Sequence, residues 1–459
     1  MVRIFKHYMP LSFVLIGILE ACIFFSAVPF ARYLNRYDTN NIEVTFYTEI
    51  TFTLVVILSM FAAGLYSSHL RENIRGVAFR VVLVLIIVFF IMSFLFYLHP
   101  ALFTARTSFV YALMISGGAL VVTRTVLYFS IDREYFKKRI IIFGAGEKAA
   151  HINDLRRKSD KRNAKLMGYL PISGEDVRVE DNQLIKLSDS LLNYVIEHQI
   201  DCIIVAIDDR RKRFPVDDVL ECKLNGVEIL DISSFFERQT GRIKLHALHP
   251  SNLIFSDGFI HSNTDKFLKR LMDISASMVL LLLTWPIMII TALAIMFESK
   301  FHGTVFYKQT RVGLNNKDFQ VMKFRSMTMD AEKNGAQWAQ KIDPRVTRVG
   351  DIIRKFRIDE LPQLFNVLVG DMSFVGPRPE RPEFVKELSQ KIKYYEIRHH
   401  VKPGITGWAQ VCYPYGATEE DTRNKLEYDL YYMKNYSVFL DIMILLQTVQ
   451  VVVWRQGAR

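Results

Sequence analysis

Long apolar runs dominate the first third of the chain, and their spacing sets the first expectation. Four stretches with few charges run over roughly 12–34, 45–66, 78–98 and 107–131, each near the ~20 residues that cross a ~30 Å hydrocarbon core. Residues 1–135 therefore read as four transmembrane helices. The first run is long, lacks a small-x-small exit and is followed by three more, so it reads as a span rather than a cleaved leader. The connecting loops are short, so Lys and Arg set the orientation. Arg3, Lys6, Arg71, Arg75, Arg80, Arg133, Lys137, Lys138 and Arg139 fall on one side, against Arg32, Arg36 and Arg106 on the other. The richer side is expected to face the cytoplasm. Glu20, inside the first span, is expected to be neutral or hydrogen-bonded between helices. Arg124, near the inner end of the fourth, is expected to snorkel to the headgroups.

Beyond this region the runs shorten. Arg139-Ile-Ile-Ile-Phe-Gly144-Ala-Gly146-Glu-Lys-Ala149 reads as a buried strand, a glycine turn and a helix start, an arrangement able to cradle a pyrophosphate. Further strands are expected at 166–170, 201–207 and 227–231, with helices between them. That alternation predicts a parallel, doubly wound, Rossmann-like sheet over 136–260. Gly144 and Gly146 are candidate cofactor-binding positions. However, the second strand ends in Pro171 rather than the acid that would hold a ribose. Structural or oligomerising use of this domain is therefore the preferred reading, with the middle domain as the expected contact of a homo-oligomer.

The last third, 261–459, opens on Lys266, Lys269 and Arg270 before a chargeless run from Ile274 to Phe297. As a helix this run is about 36 Å long, enough to span. Pro286 lies at its middle, where a proline removes a hydrogen bond and clashes with the preceding turn. A plain span would also strand the residues that follow on the far side, away from cytosolic nucleotides. The expectation is a re-entrant helix over 274–297 that breaks at Pro286 and returns to the cytoplasmic face. The tail from Tyr436 to Trp454 mixes apolar residues with Asp441, Gln447 and Gln450, which suits an interfacial helix. Tyr428, Tyr431 and Tyr432 just before it read as headgroup anchors or as core.

Charge and composition narrow the partners. The chain is half apolar with 34 Phe, and its net charge is +11. Because the basic residues sit beside long apolar runs, lipid and phosphate are better partners than nucleic acid. Cys22, Cys202, Cys222 and Cys412 are scattered, which suggests neither a disulfide framework nor a zinc site and fits a reducing compartment.

The densest chemistry lies between Phe319 and Pro379. Alternation in Phe319-Gln-Val-Met-Lys323-Phe-Arg325 puts Lys323 and Arg325 on one face of a strand. Downstream, Arg354 precedes the pair Asp359-Glu360. Pro362, tolerated in a first helical turn but not in an interior, and Gly370, a helix-ending residue, predict a helix that starts near Asp359 and stops before Gly370. Adjacent carboxylates at its start either cap it or do chemistry. One carboxylate attacking phosphorus, its neighbour holding a divalent metal and Arg378 clamping oxygens would make a phosphoryl-transfer site.

From about Thr264 to its end the chain resembles the bacterial sugar transferase family, the monotopic phosphoglycosyl transferases that prime polysaccharide synthesis on undecaprenyl phosphate. The matching blocks are Lys-Phe-Arg-Ser-Met (323–327), Asp-Glu-Leu-Pro-Gln (359–363), Gly-Asp-Met-Ser-Phe-Val-Gly-Pro-Arg-Pro (370–379) and Lys-Pro-Gly-Ile-Thr-Gly-Trp-Ala-Gln-Val (402–411). The four spans and the Rossmann-like domain resemble the larger members. The resemblance implies Asp359 as nucleophile and Glu360 at a Mg2+ site. It further implies Lys323, Arg354 and Arg378 around the substrate phosphates, beside which Arg325 and Gln363 are candidate substrate contacts, and a membrane helix broken at proline. It also implies a UDP-sugar donor, undecaprenyl phosphate as acceptor, UMP as product and a place in the bacterial inner membrane. The chain departs from the family at Trp285, where many members carry Ser, and at Cys412-Tyr-Pro-Tyr-Gly416, where many carry Asn-Gly-Arg. Two other readings stand beside this one: a membrane-tethered nucleotide-sugar oxidoreductase or dehydratase, and a non-enzymatic assembly scaffold.

Overall fold

The computed structural model describes residues 2–453 apart from 5–6, 10, 36–45, 67–73, 103–104, 131–136, 154–163, 173, 188–189, 209–214, 249–252, 255, 257, 332–342, 414–415 and 417. Lys6, Arg36, Arg71 and Arg133, counted for orientation, lie outside the described residues, as do Pro414, Tyr415 and Trp454. The chain divides into two compact units, with the break in sequence after Pro250.

The first unit begins with helices α1 (Leu11–Leu34), α2 (Phe46–Ala62), α3 (Ile74–Leu98) and α4 (Arg106–Ser130). Each packs on its neighbours, and α1 also packs on α4, around Phe24, Phe52, Val56, Met60, Val84, Val88 and Leu120. Apolar side chains such as Leu15, Phe90, Phe94 and Val122 are also exposed on the outside. A helix apolar all round has lipid for one of its solvents. Helices α1, α3 and α4 are long and apolar enough to cross a membrane, while α2 has 17 residues, the lower end of what spans.

Glu20 is hydrogen-bonded between helices, as expected, but Arg124 does not snorkel. Arg124 turns inward and grips both Glu20 oxygens at 2.8 and 2.7 Å. Thr123 Oγ1 donates to the same carboxylate at 2.6 Å, and the Tyr66 hydroxyl donates to it as well. A carboxylate with no exposed surface and no cationic partner costs more than the desolvation of one arginine that can pair with it.

The rest of the unit is a four-stranded sheet of β1 (Lys138–Phe143), β2 (Ala164–Leu170), β3 (Cys202–Val205) and β4 (Glu228–Asp231), in the order β2-β1-β3-β4 and parallel throughout. Alternation explains its two covered faces. Ile140, Ile142 and Ile204 pack with Phe235 and Phe236 of α8 (Ile232–Thr240) on one side. Ile141, Phe143 and Ile203 pack on the other with Leu191 and Val195 of α6 (Leu191–Glu197) and Val219 of α7 (Val216–Leu224). The parallel sheet expected from the sequence is present, and a short helix α5 (Glu147–Ala150) follows the glycine turn.

The second unit is built on α9 (Asn263–Glu298), a single helix of 36 residues with Pro286 inside it. The break expected at Pro286 is therefore not an interruption of helical structure. Unwinding there would free several backbone groups in apolar surroundings, whereas a proline frees one carbonyl. In the turn before it, Thr284 Oγ1 donates to the Leu280 carbonyl at 2.7 Å, a side-chain bond of the kind that bends helices. The two ends of α9 are embedded, at Lys269, Asp273 and Ser277 and again at Thr291 and Ile295. Between them Met278, Val279, Leu282, Leu283, Trp285 and Ile290 are exposed.

Around these ends lie an antiparallel hairpin of β5 (Phe306–Val312) and β6 (Asp318–Phe324), then α10 (Arg348–Lys355), α11 (Gln363–Val369), β7 (Ser373–Val375) and α12 (Pro382–Lys391). The chain closes with β8 (Gly404–Thr406), parallel to β7, α13 (Trp408–Cys412), α14 (Glu419–Asn435) and α15 (Val438–Val453). Tyr428, Tyr431 and Tyr432 are core rather than headgroup anchors, each with at most 1% of its surface exposed. Tyr432 spends its hydroxyl on the Val375 carbonyl and on Asp441, at 3.0 and 2.8 Å.

Candidate active site

Asp359 and Glu360 lie on a single 3-10 turn, Ile358–Glu360, entered through Arg357 in the left-handed conformation (φ 57°). The α-helix expected to start near Asp359 begins instead after Pro362, as α11, and ends at Gly370 as expected. The carboxylates thus stand one short turn before the α-helix. Side-chain cations balance their charge. Glu360 Oε1 meets Lys323 Nζ at 3.1 Å, Arg378 Nη2 at 3.1 Å and Arg357 Nη1 at 3.7 Å. Burial would raise this carboxyl, but the charges of Lys323, Arg378 and Arg357 outweigh it and hold Glu360 well below the usual carboxylate range. Asp359 is treated the opposite way. It is buried, its Oδ1 has no hydrogen-bond partner, and burial together with the Glu360 charge pushes it up to about 6. Two adjacent carboxylates are thereby driven apart, one fixed as an anion and one poised near neutrality, a separation typical of catalytic pairs.

Each partner is placed by identifiable packing. Lys323 is the penultimate residue of β6. That strand is pinned to α11 by Asn366, whose amide accepts from Met322 N at 3.0 Å and donates to the Gln320 carbonyl at 2.7 Å. Arg378 stands between two prolines where the blocks 370–379 and 402–411 meet as the parallel pair β7–β8. Their backbones touch: a Cβ on Gly404 would lie 2.0 Å from Gly376 N. Arg398, buried, donates to the Arg378 carbonyl at 2.9 Å and pairs with Asp429 at 3.0 Å. From α9, Arg270 caps the end of α11 through the Val367 and Leu368 carbonyls at 2.6 and 2.7 Å. Asp273 accepts from Ser373 Oγ and Phe374 N at 3.0 and 2.9 Å.

Of the residues expected from sequence, Asp359, Glu360, Lys323 and Arg378 come together. Arg354, in the last turn of α10, is close enough for its charge to act on Asp359. Gln363 is buried on the first turn of α11. Arg325 is elsewhere. Strand β6 ends at Phe324, so the alternation that would keep Arg325 beside Lys323 stops, and its guanidinium turns to the His302 carbonyl and Met329 sulfur at 3.4 and 3.0 Å. Sequence reasoning passed over Arg357, Asn366, Arg398 and Asp429. Arg357 stands in the basic run 354–357 and was visible there, whereas the other three act through contacts that local spacing does not show.

Among the described residues no group of three or more His, Cys, Asp or Glu is placed to hold a metal. Magnesium commonly takes only one or two carboxylates, completing its shell with phosphate oxygens and water. The partnerless Asp359 oxygen beside ionised Glu360 fits that sparse donor set.

A family model described as "Bacterial sugar transferase" matches residues 264–455, and one described as "CoA-binding domain" matches 61–221. Over 445 residues the chain is 31% identical to the UDP-glucose:undecaprenyl-phosphate glucose-1-phosphate transferase of Klebsiella pneumoniae, covering 94% of this chain and 93% of that protein. It is 47% identical over 238 residues to the UDP-N-acetylgalactosamine-undecaprenyl-phosphate N-acetylgalactosaminephosphotransferase of Aeromonas hydrophila, covering 52% of this chain and 55% of that one. It is 34% identical over 329 residues to the undecaprenyl-phosphate glucose phosphotransferase of Komagataeibacter xylinus, covering 70% and 60%. The chain thus spans little more than half of the Aeromonas and Komagataeibacter proteins and nearly all of the Klebsiella one.

Proposed function

The chain belongs to the bacterial sugar transferase family, and from that premise we propose that it moves a sugar-1-phosphate from a UDP-sugar to undecaprenyl phosphate. The observation that carries this reading is the divided carboxylate pair: Asp359 buried and without a partner for Oδ1, Glu360 ringed by Lys323, Arg357 and Arg378. In the proposed first step an Asp359 oxygen attacks the phosphorus that carries the sugar. The bond from that phosphorus to the oxygen of UMP breaks, and UMP leaves with the electron pair. In the second, an oxygen of the polyprenyl phosphate attacks the same phosphorus and Asp359 departs as carboxylate, leaving a lipid diphosphate sugar. With a pKa near 6, Asp359 is a stronger base than an ordinary aspartate yet mostly ionised at neutral pH. Lys323, Arg357 and Arg378 neutralise the phosphate oxygens where charge accumulates. Glu360 would hold Mg2+, which supplies Lewis-acid neutralisation of the diphosphate when bound.

We further place α9 as a re-entrant membrane helix, with the catalytic residues on the cytoplasmic face of the inner membrane. What supports this is that both ends of α9 pack on one globular unit. Arg270 and Asp273 hold α11 and β7, while Ile295 packs with Phe324 and Ile353, and Glu298 accepts from Val349 N at 3.1 Å. A straight crossing would put these ends on opposite sides of a bilayer. Single cysteines at Ala276 and Phe297 should label from the same side of sealed inverted vesicles, and labelling from opposite sides would sink the re-entrant reading.

The reaction is tested by UMP release from purified protein with undecaprenyl phosphate, Mg2+ and either UDP-glucose or UDP-N-acetylgalactosamine. Release that is lost in Asp359→Asn, with a sugar-phosphoryl adduct in the intact mass of the acid-quenched enzyme, supports the covalent path. Release that persists in Asp359→Asn removes it. No release from either donor, with folded protein and lipid acceptor present, counts against the transfer itself.

A further inference from the structure

The glycine turn of the middle domain is already occupied. It follows β1 and lies beside β3, at the point where the order β2-β1-β3-β4 reverses direction. That is where doubly wound sheets take their ligands, and the match to a CoA-binding domain covers it. A phosphate there would be held by the backbone N–H groups of the turn. In this protein those groups are spent on its own carboxylates. Ala145 N donates to Glu175 Oε2 at 2.9 Å, Glu147 N to Asp208 Oδ2 at 2.7 Å and Lys148 N to Asp208 Oδ1 at 2.9 Å. Lys148 Nζ closes the arrangement from the other side, donating to the Ile207 and Asp208 carbonyls, each at 3.0 Å.

The glycines fit this occupant. A Cβ on Gly146 would lie 2.1 Å from Asp208 Oδ2 and 2.8 Å from Glu175 Oε1. The space that the missing side chain leaves is thus filled by carboxylate oxygens. A Cβ on Gly144, whose φ is +116°, would lie 2.8 Å from the Ala206 carbonyl oxygen, so this glycine serves the contact between β1 and the end of β3. Both small residues are accounted for without a ligand, and a phosphate at the turn would have to displace three charge-assisted contacts and then stand beside two carboxylates.

We propose that Asp208 and Glu175 are the built-in occupants of the glycine turn, and that the middle domain takes neither coenzyme A nor a dinucleotide phosphate there. The residues do not fit the group that the domain match implies. The turn keeps the anion geometry of a cofactor domain and uses it as an internal clasp between the β1 turn and the segments that carry Glu175 and Asp208.

The test is hydrogen–deuterium exchange on the full chain in detergent or nanodiscs, followed over residues 144–150, with and without saturating coenzyme A or NAD. In the native protein exchange at the turn is expected to be slow and unchanged by either ligand, and an acid extract of the purified protein is expected to contain neither. In Asp208→Ala the Glu147 and Lys148 amides should exchange roughly ten-fold faster. Ligand-dependent protection at the turn, or cofactor in the extract, overturns the proposal. So does unchanged exchange in a folded Asp208→Ala protein. If that variant does not fold, the native arms and Asp208→Asn, which offers Lys148 and Glu147 only one acceptor oxygen, still decide between the outcomes.

Discussion

Arg398, buried in the second unit, donates to the backbone carbonyl of Arg378 at 2.9 Å and so holds from behind the residue whose guanidinium meets Glu360. The same guanidinium pairs with Asp429 at 3.0 Å and donates to the Tyr395 hydroxyl at 2.8 Å. Arg378 thus lies on a rod fixed at three points: prolines on both sides, the Gly376–Gly404 backbone contact beneath, and Arg398 behind. The surface cation is mobile only as far as its own side chain allows, which suits an electrostatic role that depends on position.

Arg398→Lys is expected to keep the charge beside Asp429 and lose the fork, lowering kcat for UMP release by about 10–100-fold, as a slight misplacement of a positioned group does. Arg398→Leu leaves Asp429 buried and unpaired, so its main effect is on folding, a loss of about 3–5 kcal/mol. A double-mutant cycle separates positioning from stability. Arg378→Ala should cost less in an Arg398→Lys background than in the native protein, measured as kcat at a temperature where both remain folded. Additive costs would remove the positioning role.

Asp359 links activity and stability with opposite signs. Its pKa of about 6 in the folded protein lies above the ~3.9 of an unfolded chain. Between those values the folded state binds more protons than the unfolded one, so stability falls as pH rises from ~4 to ~6 and stays lower above. Keeping this carboxylate ionised at neutral pH costs roughly 1–3 kcal/mol. Asp359→Asn is therefore expected to raise Tm at neutral pH, with the gain fading towards pH ~4. UMP release by the native enzyme should do the reverse and rise through about 6. Thermal denaturation of both proteins across this range, beside the pH profile of single-turnover release, checks the two signs together.

Glu360→Gln should move that acidic limb. Burial sets most of the Asp359 shift and the Glu360 charge raises it further, while Lys323, Arg357 and Arg354 lower it. Removing the Glu360 charge leaves the cations to act on Asp359 alone. The limb is expected to shift down by about one pH unit or more even as the rate falls. A limb that stays near 6 would assign it to a group other than Asp359.

Legibility in the sequence followed the range of the interaction. Period-2 and period-3.6 patterns, with glycine and proline as punctuation, were enough for the parallel strands 138–143 and 202–205, for the end of helix 363–369 at Gly370 though not for its start, and for the Asp359-Glu360 pair. Where a side chain goes once its element ends was not written locally. Arg325 was expected beside Lys323 because alternation was carried past Phe324, where the strand stops. Arg124 was expected at the headgroups because its partner is 104 residues away in the chain. The self-filled glycine turn depends on Asp208 and Glu175, which no fingerprint for the turn includes. Arg124 found an opposite charge, Asp208 and Glu175 found backbone N–H donors, and Arg325 found a backbone carbonyl, and choices of that kind leave no periodic trace.

The Glu20–Arg124 pair gives the last prediction. Both side chains are almost wholly buried within the first unit, and Thr123 and Tyr66 complete the carboxylate's hydrogen bonds. Arg124→Leu leaves Glu20 without its cation, and Glu20→Leu leaves Arg124 with the Leu65 carbonyl at 3.1 Å and the face of the Tyr66 ring, neither of them an anion. Each is expected to cost about 3–5 kcal/mol of folding stability, since removing one partner strands a buried charge. Replacing both, as Glu20→Leu with Arg124→Leu, removes the two desolvation costs together and should recover most of that loss. Detergent melting temperatures and the yield of folded protein read this directly. A double variant as unstable as the worse single one would show that the pair carries a contact neither leucine can replace, and full stability in either single variant would show that the two charges do not depend on each other.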